Sequence, residues 1–187
     1  MDKKKILKEW IIPIICTFIL FIIIRKFIFF TAVIPSESMI PTLQVKDRLI
    51  TSRIFSTEEL KRGDIVVFNG GEHNHMHIKR IIGLPGDKLE LKENGEVYVN
   101  GELLDEPYVT SQINHSEHIH SDCSHHHNHP KMKLGEFEVP EDKVFFLGDN
   151  RAASFDSRYW ENPYVDMNDI VGKPLFRIFP FDRFGDI

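Results

Sequence analysis

The chain begins with a long apolar run and then changes to short apolar segments separated by polar turns. No charged residue lies between Trp10 and Ile24, and two basic residues follow. A helix needs about 20 apolar residues to span a bilayer. The run approaches that length when it is extended back to Ile6, because the side chain of Lys8 can reach the membrane interface. This pattern predicts one amino-terminal transmembrane helix.

The charges around this helix predict its orientation. Three lysines precede it within residues 3–5, whereas a single basic pair follows it. Positive charge is enriched on the cytoplasmic side, so we expect a cytoplasmic amino terminus and an extracytoplasmic chain from about Phe27 onward. A cleavable signal peptide is the alternative, but its apolar core is shorter, and residues 30–33 make a poor cleavage site. We therefore favour an uncleaved anchor in the cell membrane.

Beyond the anchor, β-branched and aromatic residues occur in short runs that end at turns, a pattern typical of strands. The predicted strands of the main body cover residues 48–51, 65–68, 77–84, 144–147 and 174–181. Core packing is the first expectation for Phe176, Phe179 and Phe181 in the last strand, and contact with the membrane interface is the alternative.

Residues 88–140 have a different pattern, in which short apolar triplets alternate with two Asn-Gly turns. This pattern predicts a meander of hairpins. We therefore expect a mostly β protein, with one transmembrane helix followed by an extracytoplasmic all-β domain that carries a small inserted β subdomain. The expected divisions are 1–26 for the cytoplasmic tip and anchor, 27–87 with 141–187 for the β core, and 88–140 for the inserted subdomain.

Composition narrows the possible partners. At 187 residues and 42% hydrophobic content, the chain can bury one core and a small appendage. Residues 1–30 carry six basic and two acidic side chains, which leaves a net charge of −9 on the rest. An acidic body argues against binding nucleic acid. Cys16 and Cys123 form no disulfide framework that would identify a redox compartment.

The segment 35–43, Pro-Ser-Glu-Ser-Met-Ile-Pro-Thr-Leu, is a candidate nucleophile turn. Its two prolines restrict the backbone on both sides of Ser38, which holds the hydroxyl in a stiff, non-helical segment between apolar neighbours. An ordinary turn after a membrane anchor explains the same residues.

Lys79 is a candidate base because it lies inside an apolar strand that ends at a Pro-Gly-Asp turn. If the strand is at an edge, the lysine simply points to water. If Lys79 is buried among isoleucines, the loss of hydration lowers its pKa, and the neutral amine can take a proton from a serine. His77 lies two residues earlier, so it shares the strand face of Lys79.

The segment 148–158 is polar and directly follows a strand predicted to be buried, which is typical of a catalytic loop. Asp156 and Arg158 are expected to pair, and Ser154 has the chemistry to hold a neutral lysine in place. A turn that merely ties the ends of the core together is the alternative.

All ten histidines lie at residues 73–77 and 115–129. Histidine-rich tracts can bind transition metals through imidazole. The spacing is irregular and matches no closed metal site, so a solvated loop with adventitious metal affinity is the preferred interpretation.

Four ordered motifs extend over the chain after the anchor: Pro-Ser-x-Ser-Met-x-Pro-Thr-Leu, Gly-Asp-Ile-Val-Val-Phe, Lys-Arg-Ile-Ile-Gly-Leu-Pro-Gly-Asp and Gly-Asp-Asn-Arg-x-x-Ser-x-Asp-Ser-Arg. With them the chain resembles a bacterial type I signal peptidase in the compact form of Gram-positive bacteria. The resemblance implies a membrane-bound serine endopeptidase that uses a Ser/Lys dyad and an acyl-enzyme, without a cofactor. The implied partners are the lipid bilayer and exported preproteins with small residues at positions −1 and −3.

The resemblance also implies roles for individual residues. The nucleophile falls on Ser38, the general base on Lys79, an oxyanion-hole hydroxyl on Ser36 and the lysine-orienting serine on Ser154. The implied salt bridges join Arg80 to Asp149 and Asp156 to Arg158. The implied substrate pocket consists of Ile34, Pro35, Met39, Leu43 and Ile78. His77 departs from the tyrosine that is common there, which affects the pocket rather than the chemistry.

Two rival functions use parts of the same sequence. A self-cleaving Ser/Lys repressor needs a helical DNA-binding domain, for which the chain has no room. A membrane-tethered metal-binding or chaperone module would use the histidine-rich segment instead of Ser38 and Lys79. Metal titration and a peptidase assay with a chelator distinguish this module from a peptidase.

Overall fold

The computed structural model describes residues 7–70, 75–109 and 132–187. Its amino-terminal helix has an α-helical centre, α1 (Ile12–Ile23), between π-helical turns at Leu7–Ile11 and Ile24–Ile28. Within Lys8–Ile28 an 18-residue window has a mean hydropathy of 2.5, and none of that window is buried inside the protein. By length and composition this helix can cross a membrane, as the apolar pattern predicts.

The rest of the described chain is mostly β. The strands are β1 (Phe29–Val33), β2 (Arg48–Ser52), β3 (Ile65–Gly70), β4 (His75–Gly83), β5 (Lys88–Leu91), β6 (Val97–Val99), β7 (Glu102–Leu103), β8 (Gly135–Glu138), β9 (Lys143–Leu147), β10 (Tyr164–Asp166), β11 (Ile170–Phe179) and β12 (Gly185–Asp186). Three short 3₁₀ turns, Thr57–Glu59, Met167–Asp169 and Phe181–Arg183, connect some of them. The mostly β fold class is therefore confirmed.

The larger sheet has the order β1-β2-β11-β3-β4-β9-β10, and β12 pairs with β11 at one side. Its neighbouring strands are antiparallel. β4 is an inner strand between β3 and β9, and its residues from Ile78 to Gly83 are buried. β1 begins directly after the apolar helix, which places this edge of the sheet beside the anchor.

The predicted last strand differs from the structure at its end. β11 ends at Phe179, and a 3₁₀ turn leads on to β12. Phe181 lies in that turn and is 81% exposed, and Phe179 is also exposed. Core packing was the wrong expectation for these two rings, because Phe179 is the last residue of β11 and Phe181 lies in the turn beyond the strand, where neither side chain is covered.

The smaller sheet has the order β7-β6-β5-β8 and contains strands from residues 88–138. Its hairpins agree with the predicted meander, whereas the division of the chain into domains stays a prediction. Gly83, at the end of β4, lies where the two sheets meet: a Cβ there would come within 2.7 Å of Leu89 and 2.8 Å of Val139. The histidine-rich segment predicted at residues 115–129 lies outside the described residues.

Three apolar clusters hold these elements together. One surrounds the stacked rings of Phe68 and Phe146, whose centroids are 4.1 Å apart. A second joins the small sheet to β9. The third lies beneath the turn that carries Ser38, and it contains Ile34, Met39, Leu43, Leu49, Ile65, Val67 and Ile78.

Candidate active site

Ser38 lies in a turn that its apolar neighbours fix from below. The side chains of Met39 and Leu43 are fully buried in the third cluster, and the backbone N–H of Leu43 donates to the carbonyl of Met39 at 2.8 Å. Ser38 itself is buried. The turn is also held from the opposite side, because the backbone N–H of Asn150 donates to the Ser38 carbonyl at 3.1 Å.

Lys79 reaches the serine from β4. Its backbone lies opposite Val66 of β3, and its side chain is only 5% exposed. The Lys79 Nζ donates to Ser38 Oγ at 2.5 Å. The structure therefore brings together the two groups that the sequence singles out as nucleophile and base. The alternative of a solvent-facing edge lysine is wrong, because β4 is an inner strand.

Burial is the main influence on this amine. It lowers the pKa of Lys79 from 10.5 to about 8, since an apolar surrounding disfavours the charged form. The charge of Asp156 opposes this effect, that of Arg158 adds to it, and that of Asp149 opposes it more weakly. A lysine with a pKa near 8 is partly neutral at physiological pH and can accept a proton.

Ser36 lies beside the pair. Its Oγ donates to Ser38 Oγ at 3.3 Å, and its side chain is partly exposed toward the cleft described below. A hydroxyl in this position can donate to an oxygen that forms next to the nucleophile.

Asp156 and Arg158 form a buried bidentate pair. The Arg158 Nε and a terminal nitrogen donate to the two carboxylate oxygens at 2.8 and 2.9 Å. Burial acts to raise the pKa of Asp156, but the charge and hydrogen bonds of Arg158 outweigh it, so the pKa is lowered. Asp156 also accepts from the backbone N–H of Gly148 at 3.0 Å, which fixes the start of the polar loop at residues 148–158.

Ser154 is completely buried, and its Oγ makes no hydrogen bond of normal geometry within the described part of the chain, although the hydroxyl contributes to the lowered pKa of Asp156. It packs against Gly148, where a Cβ would lie 2.2 Å from Ser154 Oγ and 2.5 Å from the Ser38 carbonyl oxygen. The loop and the Ser38 turn therefore meet at Gly148, and only a glycine fits there. The role of Ser154 in orienting Lys79 stays a prediction.

Arg80 and Asp149 form the second predicted pair. The Arg80 Nε and a terminal nitrogen donate to Asp149 at 2.8 and 2.6 Å. Thr42, four residues after the serine, donates to the same carboxylate at 2.5 Å. Asp149 therefore links Thr42, in the Ser38 turn, to Arg80, the residue after Lys79. Sequence reasoning missed Thr42, although it lies inside the recognised motif.

A cleft of about 190 Å³ opens beside Ser38 and Lys79. Of the predicted pocket residues, Ile34, Pro35 and Ile78 line it, whereas Met39 and Leu43 are fully buried beneath it. Its other lining residues are Thr31, Ala32, Val33, Ser36, Val67, Met76 and His77. The three residues of β1 were missed, because only the sheet order shows that this strand borders the serine. A larger cleft near Trp160 and Asp166 contains neither Ser38 nor Lys79.

Metal ligands do not gather in the described ranges. Within residues 7–70, 75–109 and 132–187, no group of three or more His, Cys, Asp or Glu side chains could hold a metal ion. The predicted metal affinity concerns residues outside these ranges and stays a prediction.

Comparison with known proteins gives consistent matches along the chain. The family model described as "Signal peptidase, peptidase S26" matches residues 7–179. Signal peptidase IB of Staphylococcus aureus is 38% identical over 187 residues, covering 97% of this chain and 94% of the relative. Signal peptidase I S of Bacillus subtilis (strain 168) is 37% identical, covering 98% and 95%.

Among solved structures, a signal peptidase I from Enterococcus faecalis V583 is 29% identical, with a TM-score of 0.44, and the match covers 63% of this chain and 98% of that one. The family match covers most of the chain, and the curated relatives match over nearly their full length. The chain therefore belongs to the signal peptidase family, peptidase S26, and is a serine endopeptidase of the type I signal peptidase class.

Proposed function

We propose that this enzyme removes signal peptides from exported preproteins with Ser38 as the nucleophile and Lys79 as the general base. The observation that carries the proposal is the 2.5 Å contact between Lys79 Nζ and Ser38 Oγ in a buried setting. A serine hydroxyl is a weak nucleophile until an adjacent base takes its proton. Lys79 suits that task because burial lowers its pKa to about 8.

The reaction is an acyl transfer in two stages. Neutral Lys79 takes the Ser38 proton while Oγ attacks the carbonyl carbon at the cleavage site, and the same proton then passes to the departing amine. The resulting ester is hydrolysed by a water that Lys79 activates in the same way. The Ser36 hydroxyl and the backbone N–H of Ser38 stabilise the negative oxygen, and one such donor contributes about 3–4 kcal/mol in a serine protease of a different family.

The cleft beside the serine supports small side chains at positions −1 and −3 of the substrate. Its volume of about 190 Å³ is limited, and Ile34, Ile78 and Val67 line it with apolar atoms. The buried Met39 and Leu43 support this wall from beneath. Large or charged side chains at these positions would clash or lose hydration without compensation.

The exposed apolar segments support attachment to a bilayer on the outer side. The lysines at residues 3–5 support a cytoplasmic amino terminus, and β1 follows the anchor directly. Phe179 at the end of β11 is exposed, as are Phe181 and Phe184 in the segment between β11 and β12, and aromatic rings are enriched at membrane interfaces. The bilayer would then bring the apolar segment of a preprotein to the cleft.

The experiment uses the full-length enzyme in detergent or liposomes with a preprotein that carries alanine at −1 and −3. Ser38→Ala and Lys79→Ala each abolish cleavage while circular dichroism stays that of the wild type. Ser56→Ala and Lys92→Ala, at residues that do not line the cleft, serve as controls and retain activity. Cleavage that persists in Ser38→Ala or Lys79→Ala would refute the dyad.

Two further measurements test the rest of the proposal. A chelator leaves cleavage unchanged, whereas tight stoichiometric zinc binding without cleavage would favour the metal-binding module. Protease added outside intact spheroplasts digests the β body but spares an amino-terminal tag. Digestion of the tag instead would reverse the proposed orientation.

A further inference from the structure

We propose that Glu106 and Tyr108 are positioning residues for the reaction, because they hold the two buried ion pairs that flank Ser38 and Lys79. We call residues 104–109 the strap; it follows β7 of the small sheet and crosses to the larger sheet. The inference rests on the assignment of Ser38 and Lys79 above. Neither strap residue needs to touch the substrate.

Tyr108 acts on the first ion pair. The Arg80 guanidinium lies 3.8 Å from the centroid of the Tyr108 ring, within the range of a cation–π contact. Arg80 follows Lys79 on β4 and makes the bidentate contact with Asp149. The ring therefore packs against the guanidinium and limits its movement.

Glu106 acts on the loop that carries the second ion pair. Its carboxylate forms a salt bridge with Arg151, and the two side chains are only 9% and 2% exposed. The Arg151 Nε donates to the Gly148 carbonyl at 3.1 Å, and the Arg151 carbonyl accepts from Arg158 at 2.9 Å. Arg151 therefore joins the glycine that contacts the Ser38 turn to the arginine that pairs with Asp156.

The two strap residues also support each other. The Tyr108 hydroxyl donates to Glu106 Oε1 at 2.9 Å. Burial and the neighbouring Glu106 charge raise the pKa of Tyr108, so its hydroxyl remains a donor. Removing the carboxylate would leave a buried guanidinium without its counter-charge, which is costly.

The strap can influence the reaction through the charges that face Lys79. These are Asp156, Arg158 and Asp149 from the loop, while His77 lies on the same strand face. If Arg80 moves away from Asp149, the carboxylate charge is less compensated and favours protonated Lys79. The strap therefore helps to keep the amine neutral without contacting it.

The small sheet offers a matched control with the same local pattern. The Tyr98 hydroxyl donates to Glu96 at 3.2 Å, and Lys92 Nζ lies 5.6 Å from the centroid of the Tyr98 ring. These side chains lie on the face opposite the buried Val97 and Val99, away from the catalytic loop. Substitutions there remove the same kinds of contact without reaching Lys79.

The test measures kcat, KM and the pH profile of preprotein cleavage for Glu106→Gln and Tyr108→Leu in the full-length enzyme. In both variants kcat falls about tenfold while KM stays within twofold. In Tyr108→Leu the midpoint of the pH profile also moves to higher pH, so part of the activity returns at pH 10. Tyr108→Phe loses only the hydrogen bond to Glu106 and keeps the ring against Arg80, so its pH midpoint stays that of the wild type. Glu96→Gln and Tyr98→Leu match the wild type in kcat, KM and pH profile.

The opposite results overturn the inference. Unchanged kcat in both strap variants removes the positioning role. A loss that matches the fraction of unfolded protein, with an unmoved pH midpoint, shows a purely structural role. If Tyr108→Leu does not fold, Glu106→Gln alone tests the inference: a fall in kcat with unchanged KM supports it, and an unchanged kcat contradicts it. Full activity in Ser38→Ala would instead refute the proposed dyad, which separates the two failures.

Discussion

Lys79 and Lys92 show how differently one chain can treat the same side chain. Lys79 is 5% exposed and donates to the hydroxyl of Ser38. Lys92 follows β5, its side chain is 44% exposed, and it donates to the carboxylate of Glu90. Burial lowers the pKa of Lys79 to about 8, whereas the hydrogen bond to Glu90 raises the pKa of Lys92. The lowered pKa favours the neutral amine at Lys79, and the raised pKa favours the protonated amine at Lys92.

Tertiary contacts rather than the local sequence produce this difference. Both lysines have apolar neighbours in the chain, with Ile78 before one and Leu91 before the other. Only Lys79 lies on an inner strand, where the Ser38 turn and the loop after β9 cover it. In the proposed mechanism Lys79 can act as a base because several distant segments exclude water from its amine.

The largest expected effect comes from replacing each lysine by arginine. Lys79→Arg lowers kcat/KM by about 10³-fold, because a guanidinium stays protonated at any usable pH and cannot accept the serine proton. Lys92→Arg leaves kcat/KM unchanged, since it needs only a positive charge at the surface. The measurement is kcat/KM for preprotein cleavage by both purified variants.

Equal losses in the two arginine variants would remove the distinction between the two lysines. An active Lys79→Arg enzyme would also show that another group is the base. Circular dichroism of Lys79→Arg separates a chemical loss from unfolding, because the longer side chain must fit a buried site.

The next effect is the pH dependence of the wild type. The base must be neutral, so kcat/KM rises as pH increases and levels off above the pKa of Lys79, which is about 8. At pH 6 we expect about 100-fold less activity than at the plateau, because tenfold less neutral amine is present for each pH unit below the pKa. A profile measured in one buffer series from pH 5.5 to 10 gives the midpoint.

A midpoint near 10.5 would mean that Lys79 behaves like a surface lysine, and the contrast with Lys92 would vanish. The Lys92→Met variant provides the control, since its profile coincides with that of the wild type. A flat profile would contradict general-base catalysis by Lys79.

Much of this site could be predicted from the sequence, because its chemically informative residues lie in short motifs with fixed spacing. The two prolines around Ser38 indicated a stiff turn, whereas the apolar strand around Lys79 left a buried and a solvent-facing amine as alternatives. The polar loop after β9 indicated the Asp156–Arg158 pair, and the structure contains it. Runs of β-branched residues located β2, β3 and β9 within about two residues.

Contacts between distant segments could not be predicted in the same way. Thr42 lies 107 positions from Asp149, and Glu106 lies 45 positions from Arg151, so no local pattern relates them. The exposure of Phe181 depends on where the strand ends, and an aromatic residue packs equally well inside a core. The border formed by β1 depends on sheet order, which periodicity does not give.

The smallest effect concerns stability: replacing the buried lysine is expected to stabilise the protein rather than destabilise it. The pKa of Lys79 is about 8 in the folded protein and 10.5 as the unperturbed value, so the unfolded chain binds more protons between these pH values. Stability therefore rises with pH across this window, and below pH 8 the full cost of burying a charged amine remains, on the order of 3 kcal/mol. Lys79→Met removes this cost, so the inactive variant melts at a higher temperature than the wild type at pH 7, and the gap narrows toward pH 10. Lys92→Met has no such effect, because its amine is hydrated and its hydrogen bond to Glu90 is merely lost. Thermal unfolding of the detergent-solubilised proteins at pH 7 and pH 10 measures both variants, and a lower melting temperature for Lys79→Met at pH 7 would show that burial of this amine carries no such cost.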